Sequence, residues 1–202
     1  TPLVGFVQEE RFRKFEGLTV NEIAEIMDVD LVDAVAALIV GNKNNVNGVN
    51  LFVRSRSSLI RAFRHPLMMI GSDGSTLGPH GSFYRGLVHP RYYGTFPKIL
   101  GLYVRDLGLL PIEQAIRKMT SMPAKKMLLK DRGILAEGNW ADITIFNPST
   151  VTDMATYRHP HQYPEGIEYV IVNGNITVSK GRHTGALAGK VLKHKSKKKA
   201  AA

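Results

Sequence analysis

The stretch Leu67-Met68-Met69-Ile70-Gly71-Ser72-Asp73-Gly74 carries the information that decides the fold. Four apolar residues lead directly into a turn of small residues that contains one carboxylate, Asp73. Short apolar runs of this kind are typical of buried parallel strands, and α/β barrels place their chemistry at the carboxyl ends of such strands. The stretch therefore predicts an α/β fold with Asp73 at a strand end, where it can take part in a reaction.

The residues that precede this stretch predict the unit to which the strand belongs. Residues 49–53 favour a strand, residues 57–64 a short helix that ends before His65-Pro66, and residues 67–70 the next strand. Two strands joined by a helix form a βαβ unit, which implies a parallel pair with a right-handed crossover.

Capping and periodicity predict the other elements of the first half. Thr19-Val20-Asn21-Glu22 is a capping box that begins a helix. A second helix is expected after Asp30, and its predicted inward face consists of Val32, Val35, Ala36 and Ile39. Residues 72–97 are rich in Gly, Pro, Ser, His and aromatic residues and predict a long loop, a type of segment that is often functional.

The second half changes from helical to strand patterns. A helix is expected from Phe96, with Ile99, Leu100, Tyr103 and Leu107 facing inward. Pro111 is expected to begin another helix, with an inward stripe of Ile112, Ala115, Ile116 and Met119, and residues 123–129 a further short helix. Residues 142–146 alternate like a strand, and residues 169–178 predict a β-hairpin that turns at Asn173-Gly174.

Composition limits the class of protein. The chain has 202 residues and no cysteine, which excludes a disulfide framework and a thiolate ligand or nucleophile. A complete (β/α)8 barrel takes about 250 residues, so these residues cannot contain one together with a second domain. No apolar run approaches the roughly 20 residues that span a bilayer, and no leader is visible. We expect no membrane partner and a cytoplasmic location.

The charge is concentrated at one end of the chain. Half of the net charge of +10 comes from five lysines in residues 193–202. Such a run can bind polyanions, but a solvated, disordered tail is the more common outcome. No aromatic-interleaved basic patch accompanies it, so no specific nucleic-acid partner is expected.

Three later motifs give the chain a family resemblance. They are His89-Pro90-Arg91-Tyr92-Tyr93-Gly94-Thr95-Phe96-Pro97, Gly138-Asn139-Trp140-Ala141-Asp142 and Val172-Asn173-Gly174. In this order, and after the Asp73 turn, they resemble the carboxyl-terminal portion of the D-aminoacylase (N-acyl-D-amino-acid deacylase) family of the amidohydrolase superfamily. The resemblance runs from about residue 17 to residue 192.

The resemblance implies an architecture. Residues 1–132 would supply the last strands and helices of a metal-dependent-hydrolase (β/α)8 TIM barrel, and residues 133–192 part of a small β-sandwich. Members of this family resemble one another over a much longer chain, so the chain is expected to be a carboxyl-terminal fragment, inactive alone. With both sub-structures incomplete, we expect it to be oligomeric or to pair with a missing amino-terminal half.

The resemblance also implies a reaction and its residues. The parent protein would be a zinc-dependent enzyme that hydrolyses N-acyl-D-amino acids, with most zinc ligands outside this chain. Asp73 would act as general acid/base and as a metal ligand, while Arg91 would bind the substrate carboxylate. Tyr92, and less strongly Tyr93, are candidates for the pocket wall.

Alternatives remain open. Asp73 could simply cap its own turn, and Arg91 could bond loop carbonyls. His89 is expected to fix the loop before Pro90, whereas His161 lies far along the chain from Asp73. The alternative functions are another amidohydrolase that acts on cyclic amides, or a non-catalytic remnant that binds polyanions through its basic tail.

Overall fold

The computed structural model describes residues 2–50 and 55–193. The α-helices within these residues are α1 (Val20–Met27), α2 (Leu31–Gly41), α3 (Arg56–Arg64), α4 (Arg91–Lys98), α5 (Ile112–Met119) and α6 (Ser121–Lys126). The strands are β1 (Pro2–Val7), β2 (Val46–Asn50), β3 (Ile143–Phe146), β4 (Ile167–Val172), β5 (Asn175–Ser179) and β6 (Arg182–His183). Short 3-10 helices cover Glu10–Phe15 and Gly81–Phe83, and a π-helix, Ile99–Asp106, continues α4.

Residues 2–50 form a compact unit around their own apolar cluster. Strands β1 and β2 pair antiparallel, and α1 and α2 connect them through a core that includes Ile23 and Leu38. The predicted capping box is confirmed, because Thr19 Oγ1 accepts from the Glu22 amide while a Glu22 carboxylate oxygen accepts from the Thr19 amide. Buried Asn42 fixes the turn after β1, since its Oδ1 accepts from the amides of residues 8 and 9.

The predicted inward face of α2 is wrong. Val32 is 75% exposed and Val35 and Ile39 are also exposed, whereas Ala34 and Leu38 are buried. The helix is apolar on almost every side, so its own periodicity could not select a face. The core selects Ala34 and Leu38, which lie one turn apart.

The predicted βαβ unit is also wrong within the described residues. Residues 67–70 form no strand: the Ile70 amide donates to the carbonyl of Lys118, and Lys118 Nζ donates to the carbonyls of His65 and Met68. Lys118 of α5 thus pairs the Met68 carbonyl and the Ile70 amide, two backbone groups that a neighbouring strand would have paired. Strand β2 overlaps the predicted 49–53 strand, but it pairs antiparallel with β1, and residues 51–53 lie outside the described residues.

Helix α4 begins earlier than predicted. The expected loop at 72–97 ends at Pro90, because Arg91 opens α4, five residues before the predicted helix start. Pro97 lies inside the helix and has no amide hydrogen to donate, and the wider π-helical turn begins two residues later. Ile99 and Leu100 are buried as predicted.

A second apolar cluster positions this helix. It contains buried side chains from α3, the 67–70 segment, the π-helix, the connection that follows it and α5, namely Phe63, Ile70, Ile99, Leu110 and Ala115. The predicted helix after Pro111 is confirmed, but Ile116 is exposed, whereas Ala115 and Lys118 are buried. Helix α6 covers Ser121–Lys126, so it begins and ends earlier than the expected 123–129 helix.

Strands β3 to β6 form an antiparallel sheet in chain order. The predicted hairpin is confirmed, with Asn173 and Gly174 both at positive φ, as a tight two-residue turn requires. The two motifs of this region meet here, because Asp142 Oδ1 accepts from the Asn173 amide and Arg132 bonds both side chains. These motif residues therefore have a structural role at the end of the sheet.

The surface expectations concern the tail and the membrane. The predicted disordered tail, residues 193–202, lies outside the described residues except for Lys193, which is exposed. Among the helices of residues 2–50 and 55–193, none combines the length and the apolar character that a bilayer crossing demands.

Candidate functional site

Asp73 lies in the irregular segment 71–78, in a local turn that the Ser72 side chain closes with the Gly74 amide. Its backbone is left-handed, with φ of +50°, and its carboxylate is 83% exposed. Ser72 Oγ accepts from the Gly74 amide at 3.2 Å, and the backbone of Tyr92 lies against Gly74, leaving little room for a side chain there. The turn therefore presents the carboxylate to solvent from a supported backbone.

Arg91 lies directly on Asp73. Its Nη2 is 2.8 Å from Asp73 Oδ2, and its Nε donates to the Asp73 carbonyl oxygen at 3.0 Å. The guanidinium thus bonds the side chain and the main chain of one residue. The sequence named Asp73 and Arg91 separately, and the structure brings them together across 18 residues.

The ion pair by itself is too weak to explain this geometry. An exposed pair contributes roughly 0–1 kcal/mol. A non-glycine residue in the left-handed region costs about 1–3 kcal/mol, and less for Asp, which tolerates that region best. Other contacts of the two segments must therefore contribute to holding Arg91 against Asp73.

His89 supplies one such contact. Its Nδ1 accepts from the amide of Arg91 at 3.0 Å, where α4 begins. Burial lowers the pKa of His89, and the positive charges of Arg91 and Lys98 lower it further, against a smaller opposing effect of Asp73. The neutral ring is therefore favoured, and the expectation that His89 fixes this loop agrees with the observed bond.

Tyr92 and Tyr93 point to different surroundings. The ring of Tyr92 lies 5.8 Å from the Arg91 guanidinium and beside the Asp73 turn, which is consistent with a wall residue. The Tyr93 hydroxyl is 2.9 Å from His161 Nδ1. Burial, followed by the neighbouring Tyr163, raises the pKa of Tyr93.

The sequence interpretation missed His161 and Tyr157. Tyr157 OH is 3.3 Å from His89 Nε2, and each histidine–tyrosine pair joins residues 68 positions apart. No periodicity or short motif reports a contact of that range. The local signal in this region is Pro160, in His159-Pro160-His161, because a proline restricts its own backbone and that of the preceding residue.

The described residues do not form a metal site on their own. Nowhere in residues 2–50 and 55–193 do three or more His, Asp or Glu side chains meet with the spacing that a metal ion needs. Zinc takes at least three protein ligands, and Asp73 offers one carboxylate. The predicted metal role of Asp73 therefore depends on ligands beyond these residues.

A cavity of about 360 Å³ lies elsewhere, on the β3–β4 sheet under residues 189–192. Its lining includes Arg132, Asp142, Asn173 and Lys190 but none of Asp73, Arg91 and Tyr92. Arg132 already bonds Asp142 and Asn173, so the polar wall is occupied by the sheet's own contacts. The cavity is distinct from the Asp73–Arg91 pair.

Sequence comparison gives the chain a family and relatives. The model of the Amidohydrolase family matches residues 24–178. A D-aminoacylase from Alcaligenes xylosoxydans xylosoxydans is 38% identical over 181 residues, which cover 90% of this chain and 35% of that protein.

Solved structures give the same picture in three dimensions. The crystal structure of a D-aminoacylase superposes with a TM-score of 0.81 at 36% identity, over 96% of this chain and 38% of that one. An N-acyl-D-glutamate deacylase from Bordetella bronchiseptica, in complex with zinc and a phosphonate inhibitor, gives a TM-score of 0.75 at 31% identity, over 90% of this chain and 36% of that one. The chain thus spans a little over a third of the length of these relatives.

Proposed function

The chain belongs to the amidohydrolase family, and from that membership we propose that it is part of a metal-dependent hydrolase that cleaves the amide bond of N-acyl-D-amino acids. The observation that carries the proposal is the exposed Asp73 carboxylate, bonded by Arg91 at the first turn of α4. Two relatives, named as a D-aminoacylase and an N-acyl-D-glutamate deacylase, are 38% and 31% identical to this chain over nine-tenths of its length.

Asp73 would move the proton in this reaction. Amide hydrolysis needs a deprotonated water as nucleophile and a proton for the departing nitrogen, and a positioned carboxylate can carry one to the other. The Asp73 side chain is exposed and is paired with Arg91 through Oδ2, while the Ser72–Gly74 bond supports its backbone.

Arg91 would bind the α-carboxylate of the substrate. Asp73 engages its Nε–H and one Nη2–H, and three of the five guanidinium N–H groups point elsewhere. An end-on fork of Nη1 and Nη2 can bind a carboxylate bidentately. Tyr92 would form the adjacent wall.

Zinc is the proposed cofactor. When bound, zinc lowers the pKa of its water to about 7. Asp73 would supply one ligand, and the others would lie outside the described residues. The deacylase structure with zinc supports the choice of metal.

The same membership supports a finer fold. We infer that residues 1–132 contribute to a (β/α)8 barrel and residues 133–192 to a β-sandwich, with a cytoplasmic location. The superposition on a D-aminoacylase over 96% of this chain supports this architecture.

The test is Asp73→Asn in the enzyme that carries this chain. General acid/base catalysis is worth about 100-fold or more, so kcat on an N-acyl-D-amino acid should fall by at least that factor. Asp106→Asn is the matched control, because Asp106 is also a surface carboxylate paired with an arginine. Activity of Asp73→Asn within a few-fold of the wild type would refute the assignment of Asp73 as the general acid/base.

The alternatives need two further measurements. Faster hydrolysis of cyclic ureides than of N-acyl-D-amino acids would favour a cyclic-amide hydrolase. Salt-sensitive polyanion binding that disappears on deletion of residues 193–202 would favour the non-catalytic alternative.

A further inference from the structure

The start of helix α4 and the 153–161 loop are joined by a reciprocal pair of histidine–tyrosine contacts. His89 Nε2 lies 3.3 Å from Tyr157 OH, and Tyr93 OH lies 2.9 Å from His161 Nδ1. Each of these two segments therefore supplies one histidine and one tyrosine, four positions apart. The rings meet edge-on in both pairs, at 5.0 and 5.5 Å between centroids. We call these four residues the His–Tyr latch.

The partners of each histidine fix where its proton lies. His161 Nε2 is 2.6 Å from the carbonyl oxygen of Gly86, which can only accept, so Nε2 carries a hydrogen, and in the neutral ring Nδ1 accepts from Tyr93 O–H. His89 Nδ1 accepts from the Arg91 amide, so its Nε2 carries the hydrogen and donates to Tyr157. The latch thus has a complete donor and acceptor pattern with both rings neutral.

Arg91 lies between the two halves of the latch. It is two residues from His89 and two from Tyr93, and its backbone amide is itself bonded to His89. Its side chain reaches out of this fixed segment to both the carboxylate and the carbonyl of Asp73. An exposed ion pair does not order its own partners, whereas four aromatic rings and their hydrogen bonds restrict the backbone from which Arg91 projects.

A further contact draws the second loop onto the same helix. Lys98 Nζ, two turns into α4, is 3.2 Å from Asp153 Oδ2. Pro160, next to His161, is fully buried. The 153–161 loop is therefore held at three places along α4 and the residues just before it: Asp153 meets Lys98, Tyr157 meets His89 and His161 meets Tyr93.

We propose that the His–Tyr latch positions Arg91 and, through it, sets the orientation of the Asp73 carboxylate. Tyr93, a candidate wall residue, and His161, which the sequence gave no reason to assign to this site, are then positioning residues. The inference rests on the proposed function for its catalytic consequence, but the geometric part concerns this chain alone.

The first experiment measures Arg91 directly. In the 202-residue chain, NMR of arginine side chains reports solvent exchange of the Arg91 Nε–H, assigned by its loss in Arg91→Lys. Tyr93→Phe and His161→Gln each remove the 93–161 bond; His161→Gln keeps an amide donor for Gly86. We expect either single variant to accelerate exchange of the Arg91 Nε–H about fivefold, because the loss of one net hydrogen bond changes the population of the ordered state by about that factor. The double variant should give no further acceleration.

Tyr163→Phe is the matched control. Tyr163 packs edge-on against the same Tyr93 ring at 5.8 Å, but its hydroxyl is not part of the latch. In Tyr163→Phe, the exchange rate of the Arg91 Nε–H should equal that of the wild type. If Tyr93→Phe and His161→Gln also leave the exchange unchanged while lowering the melting temperature, the latch is a structural staple and the proposal is overturned.

The second experiment separates this proposal from the proposed function. In the enzyme that carries this chain, Tyr93→Phe should lower kcat about fivefold, because a misplaced Asp73 slows the reaction, and should also raise KM, because Arg91 would bind the substrate carboxylate. An unchanged kcat would overturn the positioning of Asp73 by the latch. Wild-type enzyme without amidase activity would overturn the proposed function, and the NMR comparison would still decide the latch.

Discussion

At the scale of single residues, the candidate site depends on a neutral His89. His89 can accept from the Arg91 amide only while its Nδ1 is unprotonated. Burial is the largest cause of its lowered pKa, followed by Arg91 and Lys98. The same positive charges that serve the site therefore keep this ring in the protonation state that the first turn of α4 requires.

This arrangement predicts a pH dependence of stability. Folding lowers the pKa of His89 below the ordinary histidine value of about 6.5. At a pH between these two values, the folded chain therefore binds fewer protons at His89 than the unfolded chain does. The free energy of unfolding should therefore be full above about pH 6.5 and fall as the pH drops toward the folded pKa. Urea unfolding from about pH 7.5 to about pH 5 measures the slope.

His89→Asn isolates this contribution. The asparagine oxygen can replace Nδ1 as acceptor but does not titrate, so the variant should lose less stability on acidification than the wild type. His183→Asn is the control, because His183 Nδ1 accepts an equivalent bond from Gly185 in an exposed setting, where water can replace the bond. Parallel slopes for wild type and His89→Asn would contradict the prediction.

At the scale of elements, the helix from Arg91 to Asp106 is fitted to the 151–153 segment by glycines. A Cβ on Gly101 would lie 2.5 Å from the Val151 carbonyl oxygen, and one on Gly94 would lie 2.9 Å from the Asp153 Cβ. Arg105 Nη1 donates to the same Val151 carbonyl at 2.7 Å. The helix can approach this closely only because two residues on that face lack side chains.

Gly101→Ala should therefore destabilise the chain. Alanine is the better helix former by about 1 kcal/mol, but overpacking against a backbone carbonyl costs about 1–3 kcal/mol. We expect a net loss of up to about 2 kcal/mol in the free energy of unfolding, measured with denaturant. Gly189→Ala, where an added Cβ meets nothing within 4 Å, should change it by less than about 0.5 kcal/mol. Equal effects of the two substitutions would show that the helix does not pack closely against the 151–153 segment.

At the scale of the whole molecule, the described residues contain two hydrophobic clusters that share no side chain. One is built from residues of the 2–50 unit, and the other from α3, the π-helix, α5 and neighbouring segments. Polar contacts join the unit to the rest, including Leu87 N to the Gly5 carbonyl at 2.6 Å and Arg158 to Glu22 at 3.4 Å. Polar contacts of this kind contribute less than a shared apolar core, so the two parts should open separately.

Hydrogen exchange tests this independence. Ile23→Ala removes a fully buried side chain of the first cluster, a change that costs about 2–5 kcal/mol. Exchange should accelerate in residues 2–50 and stay unchanged in α5. Ile99→Ala, in the second cluster, should give the reverse pattern. Acceleration of both regions by either variant would mean that the chain opens as one cooperative unit.

Local sequence determined the features whose interactions span a few residues. The capping box at Thr19 and the hairpin turn at Asn173-Gly174 depend on residues at most three apart, and both were predictable. The order of the motifs was likewise enough to indicate the amidohydrolase family, and with it Asp73 and Arg91 as residues of interest.

The tertiary structure decided the rest. It selected Ala34 and Leu38 as the buried face of an evenly apolar α2, and it used Lys118 to pair the backbone of residues 67–70 in place of a neighbouring strand. It also brought Arg91 onto Asp73 and His161 onto Tyr93. The physical reason is range: propensity and capping act along the chain, whereas contacts between residues 18 or 68 positions apart exist only after the core has fixed how the segments pack.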